Sequence, residues 1–252
     1  MKKDLLVVKI SNSRYDMGRT AALDIREKMI ELLEQKAEIS MIFAAAPSQN
    51  EVLEQLISFK DIDWTRIHAY HMDEYIGLSA NDSDKCFGHF LRERIFDKVP
   101  FKSVQLINGN AEDTETECER YARLLRANPA DIVVMGIGEN GHIAFNDPGV
   151  ADFSDSKTVK VVALDEMCRM QQVNDGCFPC LDRVPRYALT LTCPALFSGK
   201  HLFCIVPAKS KAEAVKHTLC DDISEACPAT ILRKHGSAVL YLDNDSSSLL
   251  NI

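Results

Sequence analysis

The run Asp131–Ile137 (DIVVMGI) decides the fold class, because it stays apolar over the length of a strand. A strand with one face in water alternates apolar and polar residues, whereas a central strand of a parallel sheet is buried on both faces and is continuously apolar. Similar runs occur at Ile39–Ala45, Arg66–Met72 and Leu202–Val206, with helix-like polar stretches between them. This alternation predicts a Rossmann-like α/β fold, a doubly wound and mostly parallel sheet with helices on both faces.

The length and charge of the chain limit both its organisation and its partners. A chain of 252 residues suits one large α/β domain or two small ones, and because we find no repeat or linker, we expect a single domain over 1–252. The 29 basic and 37 acidic residues give a net charge of -8, so the chain has no general attraction for nucleic acid or anionic lipid. We therefore expect a small-molecule partner, and neither nucleic acid nor a membrane.

The N-terminal residues and the cysteines indicate the cytoplasm. The short apolar run near the start is followed at once by Ser11, Asn12 and Arg14, unlike a signal peptide, and no run approaches membrane length. Nine cysteines cannot all pair within one chain. Cys177 and Cys180 have redox or zinc spacing, but no second pair of ligands is nearby, so we favour reduced thiols and expect no metal.

The segment Gly136–Pro148 (GIGENGHIAFNDP) follows the buried strand, where ligands of open parallel sheets bind. Its three glycines let the backbone turn tightly and approach a ligand. The same segment delivers His142, a natural general acid or base, and Asp147 lies where it could orient the imidazole. The alternative is a glycine-rich turn with a surface histidine. The spacing is not that of a dinucleotide-binding loop.

Two adjacent carboxylates, Asp73 and Glu74, follow the strand Arg66–Met72. Neighbouring side chains on an extended chain point to opposite faces, so we expect only one of them to enter a cleft. A carboxylate there is suited to taking a proton from a carbon next to a carbonyl group. The alternative is a solvated acidic loop or the acidic first turn of a helix.

Two further strand ends could hold a phosphate. Ala44–Asn50 (AAAPSQN) is a turn of small residues between a strand and a helix, where backbone amides can bind an anion, although it contains no glycine. Lys209–Lys211 (KSK) follows Leu202–Val206 and could supply a cation. Ordinary solvated lysines at a helix start are the equal alternative.

Together these segments, in this order, resemble the glucosamine-6-phosphate deaminase/isomerase family, which shares its fold with the 6-phosphogluconolactonases. The lactonases usually have an acidic residue followed by arginine where this chain has Asp73-Glu74-Tyr75, and they lack the ending found at Phe145–Pro148, so the deaminases are the closer match. The matching segments are MDEYIGL (Met72–Leu78), GIGENGHIAFNDP (Gly136–Pro148), VPRYALTLT (Val184–Thr192) and KSKAEAV (Lys209–Val215).

The resemblance implies roles for individual residues. Asp73 would move a proton between C2 and C1 of the opened amino sugar, and His142 would assist ring opening. Asp147 would be the acidic partner of that histidine, at a position where the family usually has glutamate. Asn140 falls where the family has Asp or Asn. Lys211 matches the lysine that contacts phosphate.

Other residues would form the rest of the substrate site. Ser48 lies in the phosphate loop, and Gly138 and Gly141 would approach the substrate. Gln172 falls where the family supplies an arginine for phosphate. Arg169 lies three residues earlier, and we expect it to share a helical face with Gln172 and to substitute for the missing arginine.

The implied reaction is aldose-to-ketose isomerisation of an amino-sugar phosphate with loss of ammonia, and it needs no metal or redox cofactor. The altered phosphate residues indicate a divergent member, whose substrate could be glucosamine 6-phosphate or a close analogue. Two alternatives stay open: a hydrolase such as a 6-phosphogluconolactonase, and a non-catalytic sugar-phosphate sensor. Whether copies of the chain form a homo-oligomer is also left open.

Overall fold

The structure of the protein, a computed structural model, describes residues 1–174 and 176–250, with the side chains of residues 80 and 81 left out. Within these residues the strands are β1 (Lys2–Lys3), β2 (Leu6–Ser11), β3 (Ile39–Phe43), β4 (Ile67–His71), β5 (Asp73–Tyr75), β6 (Ser103–Gln105), β7 (Ile132–Met135), β8 (Val159–Ala163), β9 (Tyr187–Leu191), β10 (His201–Val206) and β11 (Ala238–Asp243). The helices are α1 (Arg14–Gln35), α2 (Asn50–Ser58), α3 (Phe87–Leu91), α4 (Thr114–Ala127), α5 (Glu166–Asn174), α6 (Cys193–Phe197) and α7 (Ala212–Cys220).

The larger sheet has the order β1-β2-β11-β10-β7-β3-β4-β6, and its neighbouring strands are parallel except for β1 and β2. The side chains of β7 alternate between two apolar cores: Ile132 and Val134 join one, and Val133 and Met135 join the other. Helices α1 and α2 complete the first core, and α4 and α7 contribute to the second. The predicted doubly wound sheet with helices on both faces is therefore confirmed.

The strand order reverses next to β7. From β3 the chain runs outward through β4 to β6, and from β7 it runs the other way through β10 to β11. The chain thus leaves the carboxyl ends of the neighbouring strands β3 and β7 in opposite directions. Open α/β sheets leave a crevice for a ligand at such a point. The segments in which the sequence predicts site residues follow β3, β4, β7 and β10, which are neighbours in the sheet.

A second sheet differs from what we expected. The sequence patterns of Lys157–Ala163 and Tyr187–Leu191 predict the strands β8 and β9, but these pair with each other and with β5 in a separate antiparallel sheet of order β5-β9-β8. The sequence also predicts a loop directly after β4, and this prediction was wrong, because β5 begins after the single residue Met72. Pairing of Asp73 with Thr190 and of Glu74 with Leu189 replaces the loop. Asp73 consequently lies at the junction of the two sheets.

Some helices are shorter or tighter than their sequence patterns suggest. The sequence pattern predicts a helix around Ser83–Asp97, but the structure has the short helix α3 followed by a wider turn over Arg92–Phe96. It also predicts a helix over Pro228–Lys234, which forms a 3-10 helix. Helix α1 agrees closely, and Ser13 caps it by accepting a hydrogen bond from the Asp16 amide. Among the described residues, none of the helices combines the length and the apolarity needed to cross a membrane.

Gly109 provides a test of how the second sheet is held in place. A Cβ atom at Gly109 would lie 1.8 Å from the carbonyl oxygen of Tyr75, the last residue of β5. The carbonyl of Gly109 also accepts a hydrogen bond from the Gly77 amide at 3.1 Å. Gly109→Ala must therefore displace β5, and we expect it to lower the free energy of unfolding by about 1–3 kcal/mol.

The measurement is denaturant unfolding, with Gly236→Ala as the control. No atom lies within 4 Å of a Cβ built at Gly236, and its backbone is not left-handed. The control should change the free energy of unfolding by less than about 1 kcal/mol. Equal stability of the two variants would contradict the close approach at Gly109.

Candidate active site

A pocket opens at the reversal point and is lined by the segments that follow β3, β4, β7 and β10. Both residues proposed for proton transfer, Asp73 and His142, line it. They arrive from different strand ends, Asp73 after β4 and His142 after β7. The other predicted site residues in the lining are Ser48, Gly138, Gln172 and Lys211.

The two carboxylates after β4 point in opposite directions, as the sequence predicted. Asp73 faces the pocket. Glu74 turns away and accepts hydrogen bonds from the amides of Tyr75 at 2.9 Å, Phe87 at 3.0 Å and Gly88 at 2.9 Å. Glu74 thereby fixes the start of α3 against β5, and Asp73 is left to meet a ligand.

Burial changes the acidity of both carboxyl groups. Desolvation, followed by the charge of Glu74, raises the pKa of Asp73 well above its ordinary value. Desolvation also raises the pKa of Glu74 to about 7, although the three amide hydrogen bonds favour its charged form. Asp73 is therefore a stronger base, once ionised, than an exposed aspartate.

His142 is held by Asn140 and Asp147. The backbone amide of His142 donates to Oδ1 of Asn140 at 3.0 Å, and Nδ2 of Asn140 donates to Oδ1 of Asp147 at 2.9 Å. The same Asp147 oxygen lies 2.9 Å from Nδ1 of His142, at an angle poorer than that of a straight hydrogen bond. Such contacts commonly tighten when a substrate binds. Asn140 and Asp147 themselves lie behind the imidazole, outside the pocket lining.

The acidity of Asp147 reflects this arrangement. Burial opposes its ionisation, but the contacts with His142 and Asn140 outweigh burial and lower the pKa of Asp147 below its ordinary value. An ionised Asp147 stabilises a positive charge on the neighbouring imidazole. The one-methylene difference from the glutamate that is usual in the family thus does not prevent contact with the histidine.

Glycines make room for the imidazole. A Cβ atom at Gly138 would lie 2.1 Å from a ring carbon of His142, so the ring occupies the space where another residue would have a side chain. Gly141 has a φ of +84°, and its own Cβ would lie 2.5 Å from the sulfur of Cys227. Gly138 lines the pocket, whereas Gly141 shapes the turn without reaching the lining.

One end of the pocket, the predicted phosphate end, is built from the loops after β3 and β10, the two strands that flank β7. Ser48 and Lys211 both line it, and the Lys211 side chain is buried among its neighbours. Gln49 ties the loop after β3 to two neighbouring strands, since its amide nitrogen lies 3.0 Å from Oγ of Ser48 and 3.4 Å from the carbonyl oxygens of Met135 in β7 and Ile205 in β10. This end combines a hydroxyl group with a cation.

The structure separates the two residues of α5 that were expected to act together. Gln172 lines the pocket. Arg169 does not, because its guanidinium donates to the backbone carbonyls of Leu181 at 2.6 Å and Val184 at 3.0 Å. Arg169 thus ties α5 to the loop before β9 and is not brought to the phosphate end.

Several lining residues were not predicted. Arg14 comes from the first turn of α1, Phe87 from α3, and Gln49 and Gln171 flank predicted residues. Arg14 is separated in sequence from every motif, and only the packing of α1 on α2 brings it to the pocket. The sequence could have indicated Gln49 and Gln171, because both are polar and stand directly beside the predicted residues Ser48 and Gln172.

One group in the described residues has the composition of a metal site. Potential ligand atoms of His142, Asp147 and Cys168, all buried, lie within 4.8 Å of one another. The contact between His142 and Asp147 has the length of a hydrogen bond between an imidazole and its carboxylate. Burial raises the pKa of the Cys168 thiol far above its ordinary value, which disfavours the thiolate that a metal needs.

Similarity to proteins of known sequence agrees with this geometry. A family model described as glucosamine-6-phosphate isomerases/6-phosphogluconolactonase matches residues 12–241. A glucosamine-6-phosphate deaminase of Listeria monocytogenes serotype 4a (strain HCC23) is 35% identical over 233 residues, which cover 92% of this chain and 95% of that protein. One of Bacillus cytotoxicus (strain DSM 22905 / CIP 110041 / 391-98 / NVH 391-98) is 38% identical over 188 residues, 75% of this chain and 70% of that protein.

Solved structures have the same fold. A structure described as a monomeric glucosamine-6-phosphate deaminase superposes with a TM-score of 0.86 at 31% identity and covers 96% of this chain and 99% of its own. A 6-phosphogluconolactonase of Thermotoga maritima has a TM-score of 0.75 at 23% identity, covering 94% and 99%, and it supports the fold alone. With the family model matching most of its length, the chain belongs to the family of glucosamine-6-phosphate isomerases and 6-phosphogluconolactonases.

Proposed function

We propose that this protein is an isomerising deaminase that converts glucosamine 6-phosphate, or a close analogue, to a ketose phosphate and ammonia. One observation carries the proposal: Asp73 and His142 come from separate strand ends and line a single pocket. A base and an acid that can reach one small molecule are what proton transfer on an open-chain sugar needs. The deaminase names of the relatives at 35% and 38% identity support the same reaction class.

His142 would act first. Ring opening breaks the bond between C1 and the ring oxygen, while a proton leaves the C1 hydroxyl and another reaches the ring oxygen. An imidazole at the pocket wall can transfer such protons, and the ionised Asp147 behind it stabilises its charged form. Asn140 holds His142 and Asp147 together, because its Oδ1 accepts a hydrogen bond from the His142 amide and its Nδ2 donates one to Asp147.

Asp73 would then move a proton from C2 to C1 of the open-chain sugar. Because the amino group at the same time gives a proton to the oxygen on C1, C1 is reduced from aldehyde to alcohol and the amine-bearing C2 is oxidised to an imine. Water adds to the imine, and ammonia leaves to give the ketose. The buried position of Asp73 and its raised pKa support this role, because a stronger base removes a proton from carbon more readily.

A lactonase activity remains the second candidate, because the family model includes 6-phosphogluconolactonases. That reaction needs a base that activates water and needs no proton transfer at carbon. The pairing of a buried carboxylate with a held imidazole favours the deaminase. It also argues against a sensor, which requires neither group.

We also propose that the protein acts in the cytoplasm, as the sequence suggested. Within the described residues the cysteines, Cys177 and Cys180 among them, lie outside disulfide bonds. Free thiols suit a reducing compartment. The homo-oligomer that the sequence left open stays a prediction.

The deciding experiment incubates purified protein with glucosamine 6-phosphate and measures ammonia and ketose phosphate, with 6-phosphogluconolactone tested in parallel. We expect the two products in equal amounts from the amino sugar. Consumption of the lactone without release of ammonia would replace the deaminase with the lactonase. Absence of turnover with both substrates, together with a raised melting temperature, would indicate a sensor.

Asp73→Asn tests the base within this mechanism. The amide has nearly the same shape but cannot accept the C2 proton, so we expect kcat to fall at least ~100-fold. The measurement is ammonia release at saturating substrate. Asp84→Asn, a change to an exposed aspartate, is the control and should retain activity. Unchanged turnover of the Asp73 variant would remove Asp73 from the mechanism.

The pH profile of kcat/KM tests the raised pKa of Asp73. Asp73 must be ionised to act, so activity should fall as the pH drops through its pKa. Because burial and Glu74 raise that pKa, the fall should begin well above about pH 4, the range of an ordinary aspartate. Glu74 itself has a pKa of about 7, so the profile reports the interacting pair. A profile that stays flat down to about pH 4 would disprove the shift.

His142→Asn tests the acid. We expect kcat for glucosamine 6-phosphate to fall by about 100-fold or more, because one acid–base group is lost. Protection of the variant against heat by the sugar phosphate should persist, since the residues predicted to hold the phosphate, Ser48 and Lys211, are unchanged. Loss of that protection would assign His142 to binding instead of proton transfer.

A further inference from the structure

We propose that Arg14, the first residue of α1, supplies the guanidinium that binds the substrate's phosphate. The inference rests on the proposed function, and it names the group that replaces the arginine missing at position 172. Gln172 lines the pocket there as a neutral amide, and Arg169 is engaged with the carbonyls of Leu181 and Val184. Of the described residues that line the pocket, Arg14 and Lys211 are the permanent cations.

Arg14 reaches the correct end of the pocket. Its Nη2 atom donates to the carbonyl oxygen of Pro47, the residue directly before Ser48. Ser48, Ser210 and Lys211 share the same lining. The guanidinium therefore lies against the loop that carries Ser48, and it lines the same pocket as Lys211, the other residue that the family resemblance assigns to phosphate.

The guanidinium has N–H groups to spare. An arginine offers five N–H donors, and two of those of Arg14 are used, Nε to Oε1 of Glu51 at 2.6 Å and one N–H of Nη2 to Pro47. Within the described part of the chain, the other three N–H groups of Arg14 have no acceptor. The Arg14 side chain is 37% exposed, so these donors are open to an incoming anion. Arginine binds phosphate through two parallel hydrogen bonds from such donors.

The rest of α1 and α2 holds the guanidinium in position. Ser13 caps the helix and so fixes Arg14 in its first turn. At Gly18 the two helices approach so closely that a Cβ atom would lie 2.5 Å from Cβ of Glu51. This approach brings Glu51 beneath Arg14. Because the carboxylate restrains the side chain before any ligand arrives, less conformational entropy is lost on binding.

The arrangement also defines the substrate class. A terminal phosphate carries close to two negative charges at neutral pH. Arg14 and Lys211 supply two positive charges to this end of the pocket, of which Glu51 offsets a part. An amino sugar without a phosphate would offer these two cations no anionic group. The site therefore selects a phosphorylated sugar despite the glutamine at position 172.

Arg14→Gln is the test, and steady-state kinetics with glucosamine 6-phosphate are the first readout. We expect KM to rise roughly 10- to 100-fold, the range for losing charge-assisted hydrogen bonds to an anion, with kcat within a few fold of the wild type. Arg14→Lys keeps the charge and loses the two-pronged geometry, so it should lie between the two. Arg19→Gln removes an exposed arginine from the same helix and should behave as the wild type.

Binding of inorganic phosphate, measured by calorimetry, is independent of turnover. The wild type should bind phosphate, Arg14→Gln should bind it at least 10-fold more weakly, and Arg19→Gln should match the wild type. Equal phosphate affinity in the wild type and in either Arg14 variant, or no affinity in the wild type, would overturn the inference. Circular dichroism checks that each variant is folded, and Arg14→Lys serves if Arg14→Gln is not.

The two proposals fail separately. If the wild type releases no ammonia from glucosamine 6-phosphate, the proposed deaminase fails, yet weaker phosphate binding in Arg14→Gln still supports a phosphate site at Arg14. If the wild type is an active deaminase but Arg14→Gln keeps its KM and its phosphate affinity, this inference alone is wrong.

Discussion

The burial of Asp73 at the junction of two sheets is the constraint on which the rest of the site depends. Met72 alone separates β4 of the parallel sheet from β5 of the antiparallel sheet, so the chain changes partners at the pocket. Asp73 is thereby held by ladder pairing with Thr190 while its carboxyl group loses most of its contact with water. Desolvation of an acid is costly, and such sites persist where the shifted acidity is useful.

The surrounding structure compensates for this cost locally. Glu74 could not be placed in the same pocket without strong repulsion between two carboxylates. Because alternate residues of β5 face opposite sides, Glu74 instead accepts three amide hydrogen bonds at the start of α3. The polar groups of β5 therefore have two separate roles, one in chemistry and one in anchoring the neighbouring helix. The same division occurs after β7, where Asp147 supports His142 from behind.

The sequence predicts the parts of this arrangement that depend on local patterns. The continuous apolar run of β7 identifies the central strand. Because Asp73 and Glu74 are adjacent, the sequence also predicts that their side chains point to opposite faces. It does not predict β5 or the antiparallel sheet, because a three-residue strand depends on a partner more than 100 residues away. Arg14 is missed for the same reason, since the approach of α1 to α2 at Gly18 is a tertiary contact. Arg169 satisfies a helical spacing argument, but spacing does not reveal that backbone carbonyls occupy its guanidinium.

The two ends of the pocket place different geometric requirements on their residues. Proton transfer needs particular atoms at particular positions, so Asp73 and His142 are each fixed by a strand end, a ladder or a glycine whose side-chain space is already filled. A phosphate is a nearly spherical dianion that accepts hydrogen bonds from many directions. A cation can therefore approach it from α1 as well as from α5, provided that it reaches the same few ångströms of space. A neutral Gln172 and a guanidinium at Arg14 in one pocket lining are consistent with a single requirement, positive charge at the end of the pocket that contains Ser48 and Lys211.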